Sequence, residues 1–144
     1  QIDSSIGITD PFGQLEDNHM QFSSRLQWLF LLNATVLICH QIDAAFWHEW
    51  ELFRIPGGNQ VNLLLNLPII AVVLYAQGQV VAAGRHARSC YKLIAFLGFL
   101  TVSIHSAFLL AGNEAFVQPM SLALLLATAV LSSWQLLALR QKSR

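Results

Sequence analysis

Four apolar runs, each about as long as the ~20 residues a helix needs to cross a bilayer, limit what this chain can become. The first runs from Leu26 to about Phe53, and the second from Val61 to about Ala83. The third runs from about Lys92 to Ala111, and the fourth from about Met120 to Leu139. No stretch alternates polar and apolar residues over the length of a tilted membrane strand. The expected fold is therefore all-α, an integral membrane four-helix up-down bundle. It is preceded by a polar segment, residues 1–25, spans residues 26–139, and ends in a basic tail, residues 140–144.

Composition narrows the function classes. Hydrophobic residues make up 55% of the chain and charged residues 11%, against roughly 25% charged in soluble domains. Eight Lys and Arg balance eight Asp and Glu, which excludes a basic nucleic-acid module and a disordered polyelectrolyte. Two cysteines cannot build a disulfide framework or a four-cysteine zinc site. Cys39 falls mid-membrane and Cys90 at an edge, too far apart to pair with each other.

The breaks between runs are short. Pro56-Gly57-Gly58 closes the first, Gly84 with Arg85-His86-Ala87-Arg88-Ser89 separates the second and third, and Gly112-Asn113-Glu114 with Pro119 separates the third and fourth. Short connections make antiparallel neighbours. Arg25, Arg85, Arg88, Lys92, Arg140, Lys142 and Arg144 then share one side, and only Arg54 lies on the other. The positive-inside rule puts both termini in the cytoplasm, as for a multi-pass protein of a bacterial inner membrane.

The first run becomes polar in its second half, His40-Gln41-Ile42-Asp43-Ala44-Ala45-Phe46-Trp47-His48-Glu49-Trp50-Glu51. On one continuous helix with His40 at zero, Asp43 falls at about −60°, Glu51 at about +20° and His48 at about +80°. Glu49 points the other way, at about 180°. His105 on the third run rises to a similar depth, and Asn66 on the second descends into the same layer. Ionisable groups at such depth are costly and tend to mark function. The candidate polar cluster is His40, Asp43, His48, Glu51, His105 and Asn66. Within it, His40, Asp43 and His105 are the candidate metal ligands, for zinc, iron or copper, since imidazole and carboxylate suit these ions.

The elements His40…Asp43, Trp47…Glu49…Trp50 or Trp50-Glu51, and Pro56-Gly57-Gly58 resemble small bacterial four-helix membrane proteins of the HXXEE type and a sister family of unknown function. The chain has Asp43 and Ala44 where the HXXEE motif has its two glutamates. The resemblance implies an architecture and no reaction.

Two functions fit these features. The first expectation is an accessory subunit of a larger membrane complex of respiratory, photosynthetic or monooxygenase type, bound to other subunits and to membrane lipids and not to nucleic acid. The alternative is a membrane-embedded enzyme or metal-binding protein that uses the His/Asp/Glu cluster. A proton relay ranks below both, because Leu26–Cys39 is nearly apolar apart from Gln27, Asn33 and Thr35.

Overall fold

The computed structural model describes residues 22–112 and 117–142. Most of the polar lead segment therefore lies outside the described residues, as do the Asn113-Glu114 turn and Arg144. Four helices make up the rest: α1 (Ser24–Phe46), α2 (Gly58–Val81), α3 (Ala87–Leu110) and α4 (Pro119–Lys142). A one-turn 3₁₀ helix, Glu49–Glu51, sits between α1 and α2. All four helices are long and apolar enough to cross a membrane.

Each helix packs on its neighbour in sequence, α4 closes the ring on α1, and α1 also touches α3 across the bundle. The polarity of the surface is inverted relative to a water-soluble bundle. Leu110, Phe46, Leu126, Met120 and Ile42 face outward, while Asn33, Thr128, Ser132 and Gln135 are fully enclosed. Such a surface suits a hydrocarbon solvent, in which polar contacts help to hold helices together.

One such polar clasp occupies the half of the bundle nearest the ends of the described chain. The Asn33 amide donates to Gln135 Oε1 at 2.8 Å and to Ser132 Oγ at 3.2 Å, joining α1 to α4. Gln135 Nε2 donates onward to the Tyr91 carbonyl on α3. Beside it α3 and α4 approach closely at Gly98, where a Cβ would collide with Ser132 Oγ and lie 3.1 Å from Thr128 Cγ2. Tyr91 is fully buried against Phe22 and Phe30, with ring centroids 5.0 and 5.7 Å away. It belongs to the core.

Helix boundaries match the expected runs to within about five residues, with one exception of consequence. The first helix does not continue to Phe53; it ends at Phe46. The Trp47 amide still bonds back to the Asp43 carbonyl at 3.0 Å, but His48 adopts the left-handed conformation, with φ 55°. A left-handed residue just past the last turn is a standard helix stop, and histidine is among the non-glycine residues that tolerate it. The chain then folds back through the 3₁₀ turn, buries Trp50, and brings the Phe53 ring against Phe108 on α3. Gly57, at φ +97°, makes the next reversal; a Cβ there would strike the Val61 side chain, so the position takes only glycine.

Candidate metal centre

The end of the bundle that carries this reversal holds the second polar layer. His40 comes from the last turns of α1, His105 from the second half of α3, and Glu49 from the 3₁₀ turn. All three are buried, at 2%, 5% and 4% exposure. One ligand-capable atom from each lies within 4.8 Å of the others.

The hydrogen bonds define the electronic state of the pair at its centre. His105 Nδ1 lies 2.8 Å from the Thr101 carbonyl oxygen, which can only accept. Nδ1 therefore carries the ring hydrogen. Nε2, with its lone pair, then faces Glu49 Oε2 at 3.0 Å. A lone pair opposite a carboxylate is repulsive, so a positive centre, either a proton or a metal ion, belongs between them. A histidine that gives one N–H to a backbone carbonyl and turns its other nitrogen inward has the second-shell arrangement of metal-ligating histidines. Two donors each about 2.0–2.1 Å from zinc also stand roughly 3 Å apart.

His40 completes the group. Its ring meets that of His105 edge-on, with centroids 4.5 Å apart and planes at 81°. His40 Nδ1 is enclosed and has no hydrogen-bond partner among the described residues. Two imidazoles and one carboxylate are a three-ligand set that leaves coordination positions for water or substrate.

A cavity of about 210 Å³ adjoins the cluster, lined by His40, Glu49 and His105 and by Asn62 and Asn66 of α2. The Asn66 amide donates to the Asn62 carbonyl at 3.0 Å and to Asn62 Oδ1 at 3.2 Å. That leaves Asn62 Nδ2 and Asn66 Oδ1 enclosed and unpaired among the described residues.

The sequence-derived residues separate into three groups. His40 and His105 converge, and Asn66 lines the same cavity. Asp43 is half-buried and accepts a hydrogen bond from Ser121 Oγ on α4, so it ties α1 to α4 and is not one of the three converging ligands. His48 and Glu51 are exposed. The helical projection that groups them with His40 assumes a helix continuing past Phe46. Glu49, which that projection turns away, is the carboxylate that enters, because the left-handed His48 reverses its direction. The signal available in the sequence was the pair of tryptophans flanking it: Trp50 is buried beside it and anchors the turn.

The chain belongs to DUF6713, a family of unknown function whose family model matches residues 26–142. Neither a curated protein nor a solved structure matches it.

Proposed function

We propose that this DUF6713 member is a multi-pass membrane protein that holds one zinc or iron ion between His40, Glu49 and His105 and acts there on a membrane-borne substrate. The three-residue group has no sulfur ligand of the kind that selects Cu(I). The observation that carries the reading is the convergence of His40, Glu49 and His105, whose ligand atoms lie within 4.8 Å of one another, with His105 Nδ1 already committed to Thr101. A bound ion would offset the cost of the buried carboxylate. An ion held by these three residues would supply Lewis-acid chemistry, polarising a carbonyl or activating a water. The protein's part is to orient both imidazoles, supply one negative charge, and keep bulk water out.

The relation to the HXXEE proteins belongs to this proposal. Glu49 supplies, from the turn, the carboxylate that Ala44 lacks on the helix. So does the location: both termini cytoplasmic in a bacterial inner membrane, with the metal layer in the outer half. Arg25, Arg85, Arg88, Lys92 and Arg140 gather at the opposite end of the bundle and support that orientation. A Ser89→Cys label accessible only from the cytoplasm agrees with it, and one accessible only from outside reverses it.

The test is metal content on the gel-filtration peak of protein extracted in mild detergent. About one zinc or iron per chain, lost in His40→Ala and Glu49→Gln variants that keep the same elution volume, is the expected result. A folded protein that takes up neither ion when offered both overturns it.

The accessory-subunit reading is the second one, and a particular face favours it. Ser103, Ser106 and Ala107 form an exposed small-residue stripe on α3, the kind of surface on which membrane helices dock. A stoichiometric larger partner on the same peak supports that reading; its absence in gently extracted native membranes counts against it.

A further inference from the structure

The metal-side cavity shares a wall with a neighbouring space. Gln41, Ile69, Thr101 and Ile104 form part of its wall and also part of the wall of a second, larger cavity of about 580 Å³. That second space runs between α1, α2 and α3 and is lined almost wholly by aliphatic side chains, among them Leu37, Val73, Leu93 and Leu97. From Leu93 to His105 is 12 residues along α3, about 18 Å of helix at 1.5 Å per residue, a length that accommodates a long alkyl chain. Leu93, Leu100, Ile69 and Val72 on its walls are partly exposed, so the groove opens toward lipid.

The two adjoining spaces differ in chemistry. Away from Gln41 and Thr101 the larger one offers apolar contact. The metal-side space has two enclosed polar atoms with no hydrogen-bond partner among the described residues: Asn62 Nδ2, a donor, and Asn66 Oδ1, an acceptor. Enclosed groups left unpaired cost on the order of 1–3 kcal/mol each, so the occupant that fits must both donate and accept there. A hydroxyl does so with one atom, having one O–H and two lone pairs. A carboxylate head brings no donor for Asn66 and places a second negative charge next to Glu49.

The geometry points to a long-chain alcohol as the ligand class of this site, its alkyl chain in the α1/α2/α3 groove and its hydroxyl among Asn62, Asn66 and the His40/Glu49/His105 centre. This rests on the metal reading and deepens it, since the hydroxyl would lie beside the three ligand side chains. The groove and the asparagines stand without it.

The test uses full-length protein in mild detergent and a photoreactive 16-carbon primary alcohol with a diazirine on its chain. Metal is measured on the same samples. Labelling concentrated on the groove residues is expected, reduced at least tenfold by excess hexadecanol and little changed by hexadecane or palmitate. Leu97→Trp, which fills the groove, and Leu100→Trp, at the lipid-facing rim, should each reduce labelling several-fold with metal content unchanged. Labelling spread evenly over all lipid-facing helices, or competed equally by hexadecane, overturns the inference. So does stronger competition by palmitate. Groove labelling in protein without metal sustains the inference and sinks the metal reading; metal without groove labelling does the reverse.

Discussion

His105 Nε2 lies 3.0 Å from Glu49 Oε2, although 56 residues separate them in the chain. The contact joins the third helix to a turn that leaves the first, and it depends on where that first helix stops. Most of what can be tested about this protein follows from that stop.

The two ligand sets, His40/Glu49/His105 and His40/Asp43/His105, make opposite predictions. Glu49→Gln should lower metal affinity by at least 10-fold, because it removes the charged ligand and leaves the His105 lone pair facing a neutral amide. Asp43→Asn should leave metal stoichiometry near that of the wild type, since Asp43 is engaged with Ser121. Metal titration of both variants decides between them; loss in Asp43→Asn with retention in Glu49→Gln would restore the helical-projection set.

His48 is expected to respond to backbone chemistry and not to the loss of its ring. Its φ of 55° costs an L-residue roughly 1–2 kcal/mol relative to glycine. His48→Gly should therefore keep both metal and stability. His48→Ile, β-branched at a left-handed position, should lower stability by about 1–2 kcal/mol and release metal. Equal behaviour of the two variants in thermal melts would show that the turn does not control the site.

The Asn33 clasp should contribute more than a single membrane hydrogen bond. Such bonds average about 0.6 kcal/mol and reach about 1.7. Asn33→Leu removes both donations to α4 at once and should cost about 1–2 kcal/mol in a reversible unfolding assay in detergent micelles. It should leave metal content unaltered, because the clasp lies toward the other end of the bundle. A cost below about 0.3 kcal/mol would mean that the unfolded chain finds equivalent partners.

Gly98→Ala should destabilise the protein by about 1–3 kcal/mol, the usual range for overpacking. The new methyl collides with Ser132 Oγ. Adding Ser132→Ala should recover only part of the loss, because Ser132 Cβ and Thr128 Cγ2 remain within 3.1–3.2 Å of the added carbon. Additive losses in the double variant, measured by the same unfolding assay, would place the effect elsewhere.

The sequence by itself determined the number of helices and their approximate lengths. These follow from run length, from Pro56-Gly57-Gly58 and Gly84, and from the rise per residue, all of which are local. His40, His105 and Asn66 were legible for the same reason, since each lies well inside a regular helix whose depth can be counted from its ends. Only the tertiary structure decided which carboxylate joins the histidines. The residues after Phe46 contain no glycine or proline before Pro56, so no local preference marks the stop at His48. The left-handed turn there is held by burial of Trp50 and Glu49 and by the contacts of Phe53 and Glu49 with α3. Those contacts come from residues more than 50 positions away, and they outweigh a backbone cost of about 1–2 kcal/mol that the isolated segment has no reason to bear.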